Sequence, residues 1–104
     1  MEREEFQVVL LRSINEGISA TLGPKEANAL RFYLDTNIAG SNIHEYTRAL
    51  RKIFGSGAVI LERACVERLY GNLGLKFQAK EEYGLAQYVE ELSSNQSHLE
   101  PSQY

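Results

Sequence analysis

The sequence predicts an all-α fold, a compact bundle of about five helices, on three observations. Apolar residues recur at three- and four-residue spacing through most of the 104 residues. Glycine interrupts that periodicity at Gly23-Pro24, at Gly55-Ser56-Gly57 and at Gly74, as helix ends require. Strand-like alternation is confined to Leu75-Lys76-Phe77-Gln78-Ala79, where a short strand is the alternative to a helical or loop reading.

The first helix is expected over about residues 3–21. Phe6, Leu10, Ile14 and Ile18 form an i, i+4, i+8, i+12 row, the spacing of one helix face. Ser13, Gly17 and Ala20 form a neighbouring strip of small side chains, where another helix can approach closely. The run Val8-Val9-Leu10-Leu11 is apolar around more than half the circumference, wider than one core contact needs. Val8 and Leu11 are therefore the expected dimer contacts.

Gly23-Pro24 ends that helix and opens the second, predicted over about 24–37 with Ala27, Leu30 and Leu34 inward. Residues 37–42 read as a loop. Ser41 or Asn42 can cap a third helix at about 43–54, and Asn42 with Glu45 resembles a capping box. Along that helix Ile43, Tyr46, Leu50, Ile53 and Phe54 share one arc, while Arg48, Arg51 and Lys52 share the other.

A fourth helix follows Gly55-Ser56-Gly57, with Ser56 as its expected cap, and runs to about Leu73. At about 100° per residue, Ala58, Val59, Leu61, Cys65, Val66, Leu69 and Leu73 fall on one broad arc. Glu62 lies inside that arc. Four residues on either side stand Ala58 and Val66, so its partner must come from another helix, another subunit or a helix N-terminus. The prediction is a structural buried carboxylate. A last helix is expected over about 78–92, completing a single domain over 1–92, with residues 93–104 as a disordered polar tail.

Composition narrows the function classes. The single cysteine, Cys65, excludes an intramolecular disulfide or a cysteine-cluster zinc site and reads as a small buried apolar group. His44 and His98 have no spacing suited to a metal and read as surface residues. Gly55-Ser56-Gly57 lacks the Gly-Lys-Ser/Thr of a phosphate loop and follows a helix, so it reads as a hinge. No catalytic, cofactor-binding or metal-binding residue is assigned. The acidic start, Met1-Glu2-Arg3-Glu4-Glu5, is unlike a secretory signal, no run is long enough to span a bilayer, and cytoplasmic residence is the expectation.

Net charge is −3, against generic nucleic-acid binding, but it is uneven. Residues 43–80 carry 7 basic and 3 acidic side chains, and residues 81–104 carry no basic and 5 acidic ones. Arg48, Arg51 and Lys52 are thus the candidate contact with phosphates or with an acidic partner. Six tyrosines suggest an interface-rich surface, with Tyr46 assigned to the core.

Tyr33-Leu34, then Ala49-Leu50-Arg51-Lys52-Ile53-Phe54-Gly55-Ser56-Gly57-Ala58, then Leu61-Glu62 and Leu69-Tyr70 together form a pattern over about residues 20–75. It resembles archaeal output domains of the Nitrosopumilus type, small helical modules found alone or attached to signalling proteins. The resemblance implies a non-enzymatic regulatory or interaction role and carries over no catalytic residue. Residues 1–19 and 76–104 fall outside it. The expected function is therefore a protein-interaction module in intracellular signalling, acting as a homodimer; the competing expectation is a nucleic-acid binder using residues 48–52. A ligand-binding or catalytic site centred on Glu62 is the third.

Overall fold

A computed structural model describes residues 2–102, with side chains over 2–94. Five helices of ten residues or more form the bundle: α1 (Arg3–Leu22), α2 (Pro24–Tyr33), α4 (Ile43–Phe54), α5 (Ala58–Asn72) and α6 (Leu85–Ser102). A one-turn helix, α3 (Asn37–Ser41), links α2 to α4, and there is no strand among the described residues. The core is one cluster fed by every long helix.

The seam between α1 and α5 organises the bundle. The buried row Phe6, Leu10, Ile14 and Ile18 faces inward as its spacing requires. Beside it, Gly17 lies directly against the α5 backbone: a Cβ there would sit 2.7 Å from the amide nitrogen of Cys65. Ser13 donates to the Val9 carbonyl at 2.7 Å and accepts from Asn72 of α5 at 2.9 Å. Asn72 also donates to Glu16 at 3.0 Å. The α5 partners run backwards in number as α1 runs forwards, so the two helices are antiparallel. Small residues permit this approach, as the strip Ser13–Gly17 predicts; Ala20, its third member, is exposed.

Helix ends follow the turn chemistry, with instructive exceptions. The Gly23 amide donates to the Ser19 carbonyl and the glycine takes φ 91°, closing α1 before Pro24 opens α2. Asn42 caps α4 by accepting the Glu45 amide at 3.1 Å. The Asn42 amide itself goes to the Ile38 carbonyl, so the reciprocal half of a capping box is not made. Ser56 is not a cap. The chain passes from α4 to α5 through a single 3-10 turn, Gly55–Gly57, and Gly57 enters α5 in helical conformation, which leaves no extended residue for a side-chain cap.

Four expectations are corrected. α2 stops at Tyr33 rather than near residue 37, because Leu34 turns to extended backbone and buries its side chain. Residues 37–41 form α3 rather than a loop: Asp35 accepts the Asn37 amide at 3.0 Å, and Ala39 is buried. Val59 and Ile53, expected on the apolar arcs of α5 and α4, are exposed, each lying beyond the buried flank of its helix. The last helix begins at Leu85, not near 78, and continues to Ser102, not to about 92. Residues 75–84 are instead an irregular strap, pinned where the Tyr88 hydroxyl accepts the Lys80 amide at 2.7 Å. Of the tail expected to be disordered over 93–104, the described backbone is helical to Ser102, and residues 103–104 with the side chains of 95–104 lie outside the described residues.

Candidate functional site

Glu62 stands where its sequence context places it, and its partners come from two other helices. The inward arc of α5 is Ala58, Leu61, Glu62, Cys65, Val66 and Leu69, and Glu62 is only 3% exposed. Arg51, near the end of α4, reaches across to it with both prongs of its guanidinium. Nε donates to one carboxylate oxygen at 2.8 Å and Nη2 to the other at 3.1 Å, a bidentate pairing. The third donor is the Leu85 backbone amide at 3.0 Å, the first residue of α6. Glu62 thus supplies to α6, across the fold, the anion that an N-terminus otherwise finds in its own capping residue.

Gly84 makes room for this junction. A Cβ at Gly84 would lie 2.7 Å from Arg51 Nη2 and 2.8 Å from a Glu62 oxygen. The Gly84 amide is itself taken by the Gln87 side chain at 2.8 Å. Three helices therefore meet at one carboxylate. Glu62 raises Arg51 above its already high ordinary value, first by hydrogen bonding and then by charge. A cavity of about 200 Å³ opens beside the pair, between Val59, Arg63, Tyr83 and Tyr88. The arrangement braces α4, α5 and α6; both carboxylate oxygens are already engaged by donors that would otherwise be available to a ligand.

The other residues singled out by sequence are not gathered into this site. Arg51 is drawn out of the basic triplet toward Glu62, although its side chain remains 56% exposed. Arg48 and Lys52 stay on the outer face of α4 without an ion pair among the described residues. Val8 is exposed on α1 between Glu4, Glu5 and Arg12, its neighbours three and four residues away. Leu11 is only half-buried and packs on the core beside Gly40, so the broad apolar band expected of α1 is divided between core and solvent. Cys65 is buried, its thiol directed at the Ile14 carbonyl at 3.6 Å and pushed up to about 12 by burial and then by the Glu62 charge. His44 joins α4 to α6 through Glu90 at 2.7 Å. His98 lies outside the described side chains. Among the described residues no group of three or more His, Cys, Asp or Glu side chains is placed to hold a metal ion.

Sequence reasoning missed the most exposed apolar side chains. Phe32 and Tyr33 on α2 are 89% and 85% exposed. The signal was present: Ala27, Leu30 and Leu34 form the inward row, and a 100° step places Phe32 opposite it. Aromatics also gather under the strap, where Tyr70 packs on Phe77 and Tyr70, Phe77 and Tyr83 each pack edge-on or tilted on Tyr88, with ring centroids 5.0–6.1 Å apart. Arg63, itself exposed, stacks on Phe77 at 5.4 Å from the ring centre.

The class of protein defined by these features is an all-α bundle in which, among the described residues, the one deeply buried charged group is Glu62, held by Arg51 and the Leu85 amide. No protein-family model, curated protein or solved structure matches the chain. No helix among the described residues is long and apolar enough to cross a membrane.

Proposed function

We propose that this chain is a non-enzymatic regulatory module that works by protein–protein association, as a homodimer in intracellular signalling. The observation that carries the reading is the near-complete exposure of Phe32 and Tyr33, adjacent large aromatics on one helix. Aromatic residues left in water at a helix surface are the usual anchors of protein interfaces. The dispositions of Glu62 and Cys65 support the same reading. The carboxylate is engaged by Arg51 and the Leu85 amide, and the thiol is buried, so both serve the fold. The signalling context rests on the resemblance to archaeal output domains.

Sedimentation velocity on the full chain over a wide concentration range tests the association. A mass rising from monomer to dimer is the expected result; a monomer throughout would end the homodimer reading.

The second reading, nucleic-acid binding through α4, is favoured by Arg48 and Lys52, exposed one turn apart on its outer face. It is the weaker reading because Arg51 points its donors at Glu62. It requires salt-sensitive retention on DNA or RNA that falls when Arg48 and Lys52 become alanine. Retention that ignores salt, or its absence, would remove it.

A further inference from the structure

We propose that the outer face of α2 is the dimerisation surface and that its partner is a second copy of this chain, set antiparallel across a two-fold axis. The proposal rests on the homodimer reading above and adds the surface and the geometry.

Among the described residues α2 packs on α1 alone of the helices, with Ala27 and Leu30 buried. Its outward side is therefore unpartnered. Lys25, Ala29 and Phe32 are all exposed and follow one another at i, i+4 and i+7, a single row along that side. The row reads cation, small residue, aromatic. Tyr33 flanks the aromatic end, and Asp35 lies just beyond it, exposed.

That order selects the occupant. Reversed, the row becomes aromatic, small residue, cation, which is what the original row complements. An antiparallel second copy sets each Lys25 ammonium against the partner's Phe32 ring, and the mid-row alanine lets the helices approach near the axis. Asp35 then falls near the amino end of the facing α2, where a negative charge is favoured. A parallel copy would set lysine against lysine and leave the aromatics without cations. Lys25 has no ion pair among the described residues that this arrangement would have to break. The row is self-complementary in one direction only.

The experiment is sedimentation velocity on the full chain and five variants, with circular dichroism to show each folds. Phe32→Asp and Lys25→Glu are each expected to weaken dimerisation at least tenfold, a change of about 1.4 kcal/mol. Lys25→Arg should keep it, since the cation survives. The exchanged double variant, Lys25→Phe with Phe32→Lys, should recover much of what the single changes lose, because the reversed row still complements itself. Val8→Glu on α1 should leave the dimer unchanged. A dimer insensitive to Phe32→Asp overturns the α2 surface but leaves the homodimer reading standing. Sensitivity to Phe32→Asp without sensitivity to Lys25→Glu overturns the antiparallel pairing. A wild-type chain that stays monomeric ends both.

Discussion

The α4–α5–α6 junction and the outer face of α2 treat their side chains in opposite ways. At the junction a carboxylate sits inside an apolar arc, and the fold supplies a bidentate arginine and a helix-end amide to hold it. On α2 two aromatics, Phe32 and Tyr33, are 89% and 85% exposed. A buried charge costs stability unless its partners are all in place, so the junction ties three helices to one geometry. Exposed aromatics add little to the stability of the monomer and offer the kind of apolar surface a partner can cover. The junction holds the fold together, and the α2 aromatics are left open for the contact proposed above.

The largest expected effect comes from the α1–α5 seam on which the junction depends. Gly17 sits in mid-helix, so helix propensity alone predicts that Gly17→Ala gains up to about 1 kcal/mol. The new Cβ would meet backbone atoms of Ala64 and Cys65 at 2.7–2.9 Å, and backbone cannot step aside as a flexible side chain can. Overpacking should win. Gly17→Val is expected to cost about 3 kcal/mol or more in chemical denaturation. A stability equal to wild type would show that the two helices can separate freely.

Next are the two halves of the junction, which should differ although they break the same pair. Arg51→Ala leaves a carboxylate that is 3% exposed with one amide donor, at a cost of about 3 kcal/mol. Glu62→Gln removes the charge, keeps an oxygen that can accept the Leu85 amide, and releases an arginine already 56% exposed; the expected loss is about 1–2 kcal/mol. Urea unfolding of both single variants and the double variant measures this directly. Equal losses would contradict the asymmetry, and a double variant equal to the sum of the singles would mean that the pair does not act as a unit.

How far the sequence could reveal these two regions depended on how local their causes are. That Glu62 needed a distant partner was legible, because Ala58 and Val66 leave it none on its own helix. The partner was not. Arg51 reads as one member of a basic face with Arg48 and Lys52, and nothing in its neighbours marks it as bent toward α5. The Leu85 amide has no side-chain signature at all. The Gly17 seam and the Asn42 cap were legible because each follows from spacing within a few residues. The start of α6 was not, since the strap before it is held by Tyr70, Phe77 and Tyr88, brought together from three segments. Phe32 was legible by the same 100° step that revealed Glu62, but an apolar residue facing outward raises no conflict within a helix and so draws less notice.

Alkaline pH should loosen the interior through Cys65 and Tyr46, leaving α2 out of account. The Cys65 thiol has an ordinary value of 9.0 and is pushed up to about 12 in the fold, by burial first and the Glu62 charge second. Tyr46 moves in the same direction, chiefly through burial, against an opposing pull from Arg31. The unfolded chain therefore gives up its thiol proton first. Stability is full below about pH 9 and falls as pH rises toward about 12, by about 1.4 kcal/mol for the thiol over the first unit. Urea midpoints measured across that window should fall more steeply for wild type than for Cys65→Ala. A flat profile would contradict the thiol's burial.

The smallest stability effect should come from the region with the largest proposed role. Phe32→Asp removes a ring that is 89% exposed from the outer side of α2, while Ala27, Leu30 and Leu34 keep the inner side. At monomer concentrations the unfolding midpoint should move by no more than about 0.5 kcal/mol, the range of ordinary surface changes. A new aspartate near the carboxyl end of α2 opposes the helix dipole, and that term falls within the same range. A loss of several kcal/mol in dilute monomer would mean that Phe32 packs within its own chain. The contrast with the junction would then fail at its α2 end, because a side chain serving the fold could not be read as one reserved for a partner.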